Sequence, residues 1–196
     1  GAPAGTHEYL LSLPLYNGTD SLSIGIDSKS TMTISPSDKD DAVLIYGTSI
    51  TQGGCASRSG MAYTSILRRK LDREVINLGF SGNGCLEPEI ADLLAELNPS
   101  VYVLDAFPNN GPADIHKRFA PFVRKLRAAH PDTPIVVIEN IIYQKSWFYP
   151  PTGGHHAKNK AVQEEYAKLL AEGITGLSYV PCDDLLGHDN LGTVDG

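Results

Sequence analysis

Ser49 stands in Gly47-Thr48-Ser49-Ile50-Thr51, directly after the apolar run Val43–Tyr46. A hydroxyl on the turn that leaves a buried parallel strand is placed where open α/β sheets bind their ligands. Two later turns have the same character. Gly79-Phe80-Ser81-Gly82-Asn83-Gly84 follows Val75–Leu78, and Asp105-Ala106-Phe107-Pro108-Asn109-Asn110 follows Val101–Leu104. Glycines let backbone N–H groups approach a ligand closely, and Asn109 adds a side-chain amide. A hydroxyl, a glycine N–H and an Asn amide converging on one point are the parts of a nucleophile with its oxyanion hole.

The elements that must position these turns read as alternating strands and helices. The strands are Val43–Tyr46, Val75–Leu78, Val101–Leu104, Ile135–Glu139 and Leu177–Val180. Between them, Met61–Leu71, Pro88–Leu97, Asp114–Ala129 and Lys158–Glu172 carry apolar residues at helical spacing, for example Ile90, Leu93, Leu94 and Leu97. This alternation predicts an α/β three-layer sandwich, a five-stranded parallel sheet with helices on both faces. Parallel strands send all three turns to one edge.

Residues 7–34 differ. Glu8–Tyr16 and Ser21–Ile26 are β-like runs around Asn17-Gly18, with Leu22, Ile24 and Ile26 alternating, and this pattern predicts a β-hairpin. A lone hairpin is marginal, so it is expected to pack on the main domain or to end an upstream β domain. Residues 1–40 are thus expected to be a hairpin remnant plus linker, and 41–196 the main domain.

The chain has 196 residues, 41% hydrophobic and 20% charged, enough for one domain with a core. Sixteen Lys and Arg against 23 Asp and Glu leave a net charge of −7 without a basic cluster, which argues against a nucleic-acid partner. Apolar runs are strand-sized, so no membrane span is expected. The opening Gly-Ala-Pro-Ala-Gly is no charged-then-apolar leader, as in a cytosolic protein or one whose leader has been removed.

The three turns together resemble the conserved blocks of the SGNH, or GDSL-type, hydrolases, in order and spacing over residues 43–180. The resemblance implies a flavodoxin-like SGNH hydrolase fold, Ser49 as nucleophile, and the Ser49 N–H, Gly82 N–H and Asn109 amide as oxyanion donors. Thr48 stands where the family usually has Asp, and Phe107 where its third block usually has Gly. Both variants resemble a bacterial branch of carbohydrate-active esterases with a β-rich domain ahead of the hydrolase, which implies an exported protein, secreted or periplasmic. The family's last block is Asp-x-x-His. Asp195 fits its Asp, and the His falls two residues beyond Gly196.

Other residues divide between plain and functional readings. His116 and His130 are expected on a solvated helix face, whereas His155 and His156 follow the fourth strand and reach either substrate or solvent. His188 is a weak substitute base, His7 lies outside the domain, and no third ligand at useful spacing supports a metal. Arg58 is a surface ion-pair partner or a clamp for a sugar or anion. Trp147, Phe148 and Tyr149, beside Lys145, form either a stacking platform for a sugar ring or a cover for the sheet edge. Phe80 and Phe107 are expected to crowd the point of attack and favour an acetyl-sized acyl group. Asp105 is expected to hold the loops, and Ser59 and Ser81 to satisfy local backbone. Cys55 and Cys85 follow the first two turns, so a Cys55–Cys85 disulfide is one expectation and separate thiols, with Cys182, the other.

The reaction expected is hydrolysis of an acyl ester, on a small molecule or a polysaccharide, with no metal or organic cofactor. Two rivals stand beside it. Gly47–Gly54 resembles a flavodoxin-type phosphate cradle, with Trp147 and Tyr149 stacking on a flavin. A noncatalytic sugar-binding module is the other.

Overall fold

A computed structural model describes residues 4–35, 42–143, 154–187 and 192. Its centre is a five-stranded parallel sheet: β1 (Val43–Gly47), β2 (Val75–Gly79), β3 (Val101–Asp105), β4 (Ile135–Ile138) and β5 (Leu177–Val180), in the order β2-β1-β3-β4-β5. Every neighbouring pair is parallel, and Gly47 stands level with Gly79 on one side and Asp105 on the other. The three chemistry-bearing turns therefore leave the sheet side by side.

Alternation along the strands builds two cores. Leu44, Tyr46, Tyr102, Leu104, Ile135 and Val137 face α3 (Pro88–Ala95), α4 (Pro112–Ala129) and α5 (His155–Ala171). Val43, Ile45 and Val103 face Tyr63 and Leu67 of α2 (Tyr63–Leu71). The central strand β1 is buried along its whole length, as expected of a strand paired on both edges and covered on both faces. No helix among the described residues is long and apolar enough to cross a membrane.

Two differences from the sequence reading stand out. A short helix, α1 (Ser49–Gln52), begins at Ser49 itself, where only a turn was expected. Residues 4–35 form no strand, so the expected hairpin is absent. Leu10, Leu11, Leu13, Leu22, Ile24 and Ile26 are exposed. A two-stranded ribbon needs a third strand or a covering face to hold together, and these side chains have no such face in the described structure.

Candidate active site

The turn after β1 is shaped by its neighbours. Gly47 lies so close to them that a Cβ there would stand 1.9 Å from the Thr51 Oγ1 and 2.6 Å from the Asp105 carbonyl oxygen. Thr48 is fully buried and caps α1, its Oγ1 accepting from the Ile50 N–H at 3.3 Å. Thr can thus replace Asp here, because the position asks for a small side chain with an acceptor oxygen. Ser49 is the first residue of α1 and is half-buried.

Beneath Ser49 sits Asp105. Its Oδ2 accepts from the Thr51 hydroxyl at 2.7 Å and from the Tyr63 hydroxyl at 2.8 Å. Burial pushes the Asp105 carboxyl up to about 6, against the pull of those two donors. The residue ties β3, α1 and α2 together, the structural role expected of it. Across α1, the Gln52 Oε1 accepts from the Ser81 N–H at 2.8 Å and so joins the first turn to the second.

The second turn is fixed from below. The Tyr46 hydroxyl donates to the Glu87 carboxylate, which also accepts the Cys85 N–H at 2.9 Å, and Arg118 donates to the Cys85 carbonyl at 3.0 Å. Asn109, on the third turn, donates from Nδ2 to the Asn83 carbonyl at 2.6 Å. An amide nitrogen carries two hydrogens, so this bond orients Asn109 without exhausting it. Lys158 props the same turn, donating to the Pro108 carbonyl at 2.6 Å. Burial pulls the Lys158 ammonium below its usual value.

A cavity of about 340 Å³ opens at this edge. Ser49 and Asn109 both line it, with Thr48, Ile50, Gly54, Cys55 and Pro108 from the same loops. Its other walls are Asn140, Tyr143 and His155, beyond β4, and Tyr16 from the N-terminal segment. The Asn140 Nδ2 donates to the Ile141 carbonyl at 2.9 Å and meets the His155 Nδ1 at 2.7 Å. An amide nitrogen only donates, so His155 Nδ1 is the acceptor and its proton resides on Nε2. Asn140 is held in turn by Asn159 through two hydrogen bonds of 3.0 and 2.9 Å.

The expected site residues are distributed unevenly. Ser49, Asn109 and His155 share the cavity. Gly82, with φ +73° and nothing near its missing side chain, is exposed in the second turn and is not part of the cavity wall. Phe107 does not crowd the point of attack. It is 0 % exposed and packs edge-on against Phe119 with ring centroids 5.2 Å apart, because the residue after Ala106 still points into the core. Phe80 leans on Tyr46 outside the cavity, and Arg58 is exposed there beside Ser57, at 3.5 Å. No disulfide forms. Cys55, Cys85 and Cys182 are thiols, with Cys55 in a left-handed turn at the cavity and the Cys85 Sγ 3.9 Å from the Asn109 carbonyl. His116 is an inter-helix clamp, 2.9 Å from Glu165, and His130 contacts the Ala95 carbonyl at 2.9 Å. Lys145, Trp147, Phe148, Tyr149, His188 and Asp195 lie outside the described residues.

Asn140, Tyr143 and Tyr16 were missed. Asn140 follows the fourth strand just as Asp105 ends the third, and that position was the available signal. Tyr16 gave none, since its role depends on how a segment without regular structure crosses α1.

A parallel sheet in the order 2-1-3-4-5, with a serine at the end of its first strand and an asparagine on the third-strand loop, defines a hydrolase fold of the SGNH type. Residues 40–196 match the GDSL-like lipase/acylhydrolase family, and the chain belongs to that family. A solved structure from Bacteroides ovatus ATCC 8483, described as a GDSL-like lipase, is 40% identical, with a TM-score of 0.75 over 80% of this chain and 47% of that one. A salicylyl-acyltransferase from a tetracycline biosynthetic pathway shares the fold at 20% identity and a TM-score of 0.69, over 84% of this chain and 48% of its own. So does a family two carbohydrate esterase from Clostridium thermocellum, solved with cellohexaose, at 17% identity and a TM-score of 0.59, over 77% and 56%. The chain therefore spans about half the length of these structures. No curated protein sequence matches it.

Proposed function

We propose that the protein is a serine esterase that removes an acyl group from a sugar or polysaccharide. The observation that carries this reading is the common cavity of Ser49 and Asn109 at the ends of β1 and β3. The Ser49 Oγ attacks the ester carbonyl carbon. The oxyanion that forms is held by the Ser49 N–H and the Asn109 amide in the cavity, with the Gly82 N–H as a third donor from the exposed turn to which Asn109 is tied. A general base takes the serine proton and returns it to the leaving alcohol, the part that the resemblance gives to a histidine paired with Asp195. Water then attacks the acyl-serine by the same route in reverse.

The sugar half of the proposal draws on the aromatic faces of Tyr16 and Tyr143 at the cavity and on the fold shared with a carbohydrate esterase. The flavin rival loses its footing in α1, which has four residues and is already capped by Thr48. The test is turnover of acetyl esters by the full-length protein. Ser49→Ala should reduce it to background, and Asn109→Ala should lower kcat by about 10²–10³-fold, the worth of one oxyanion donor. Unchanged turnover in Ser49→Ala would refute the reading.

A further inference from the structure

The Gly53-Gly54 pair that follows α1 has a use that the nucleophile alone does not explain. A Cβ on Gly53 would stand 2.6 Å from the Leu15 Cδ1, and a Cβ on Gly54 would stand 2.9 Å from the Tyr16 hydroxyl oxygen. Gly54 does not have the positive φ that Gly53 has, so its missing side chain is a matter of space rather than of backbone conformation. The two glycines form a seat, and a segment 38 residues upstream sits in it. Two hydrogen bonds hold that segment on the nucleophile helix. The Gln52 Nε2 donates to the Leu15 carbonyl at 2.9 Å, and the Tyr16 hydroxyl donates to the Ser49 carbonyl at 3.4 Å. Gln52 is the residue whose Oε1 also fixes the second turn. The otherwise exposed segment thus meets the sheet domain at the residues that carry the nucleophile.

We propose that Tyr16 determines specificity, and that its ring recognises the alcohol half of the ester as a ring-bearing alcohol such as a sugar. The proposal rests on the esterase reading. Tyr16 lines the cavity that holds Ser49 and Asn109, yet it is 51 % exposed. The acyl carbonyl must lie against the oxyanion donors, and the alcohol departs toward water. A half-exposed ring on the cavity wall therefore meets the departing half. A tyrosine face offers a broad apolar surface with a polar tip, suited to a saturated ring edged with hydroxyls. The remaining walls pair with this role, since Tyr143 adds a second aromatic ring and His155 an Nε2–H donor.

The experiment compares two acetates on the full-length protein, an acetylated methyl glucoside and ethyl acetate, with wild type, Tyr16→Phe and Tyr16→Ala. The expected result is that Tyr16→Ala raises KM for the glucoside about 5–10-fold, the scale of one aromatic contact. Any loss on ethyl acetate should be no larger than the loss that Tyr16→Phe shows, since both variants lack the hydroxyl bond to the Ser49 carbonyl, so the further rise in KM is confined to the glucoside. Tyr16→Phe keeps the ring and should keep the glucoside preference. Equal losses on both esters, no loss on either, or a Phe variant as impaired as the Ala variant overturns recognition by the ring while leaving the esterase intact. So does a wild-type protein with no preference for the glucoside. A wild-type protein that hydrolyses neither ester overturns the esterase reading and this inference together.

Discussion

Two buried carboxylates stand at the ends of neighbouring strands, Asp105 on β3 beside α1 and Glu139 after β4 beside β5, and their chemistry runs in opposite directions. Asp105 closes β3 under the nucleophile helix, with two hydroxyl donors on a single oxygen. Burial wins there, and its carboxyl is pushed up to about 6. Glu139 follows β4. Burial alone would raise it as well, but it accepts from the Tyr179 hydroxyl, the Gln163 amide at 2.6 Å and the Cys182 N–H at 2.9 Å. Those donors outweigh burial and hold its carboxyl below the usual range. Asp105 is more deeply desolvated and has fewer donors than Glu139, and the two differences together decide the sign. The α1 side therefore carries an electrostatic cost at neutral pH, and the β4–β5 side a gain.

The largest effect expected from this contrast is on stability against pH. The folded-state value of Asp105 lies above the ordinary 3.8, so the folded protein binds the proton more tightly than the unfolded chain. The stability that this provides is complete below pH ~4 and is lost as pH rises through ~6, by roughly 3 kcal/mol at most for this one group. Glu139 acts in the other sense, since its contribution is present above its unfolded value and is lost as pH falls through the lower folded one. Urea unfolding at half-unit steps of pH, for wild type and Asp105→Asn, should show the falling limb between about pH 4 and 6 in wild type only. The same limb in Asp105→Asn would assign it to another group.

A second effect separates the two sides at a single pH. Glu139→Gln places an amide N–H₂ among three donors and should destabilise by about 2 kcal/mol at pH 7, read by the denaturation midpoint. The smallest effect has the opposite sign. Asp105→Asn keeps an acceptor oxygen for Thr51 and Tyr63 while removing the buried charge, and should stabilise by about 1 kcal/mol at pH 7. Equal destabilisation by both substitutions would erase the contrast.

Much of the frame was legible because strand-sized apolar runs alternate with helices of apolar periodicity. Val43–Tyr46 and Val101–Leu104, the most buried strands, are uninterrupted apolar runs, and parallel strands bring Gly47, Gly79 and Asp105 to one edge. What resisted reading depends on packing between distant segments. Phe107 looked like a cavity residue from its place in the loop, but the loop turns outward only after it. Leu22, Ile24 and Ile26 alternate as a strand would, yet alternation forms a sheet only when a partner covers the apolar face. Tyr16 reaches the cavity through the missing side chain of Gly54, a relation that spans 38 positions and leaves no local pattern.

The account turns on Ser49 as a nucleophile, and covalent labelling tests that most directly. The full-length protein treated with a fluorophosphonate should gain one adduct mass, mapped by peptide mass spectrometry to the segment containing Ser49, and Ser49→Ala should gain none. A wild-type protein that stays unlabelled, or an adduct that maps to another residue and survives in Ser49→Ala, would contradict it.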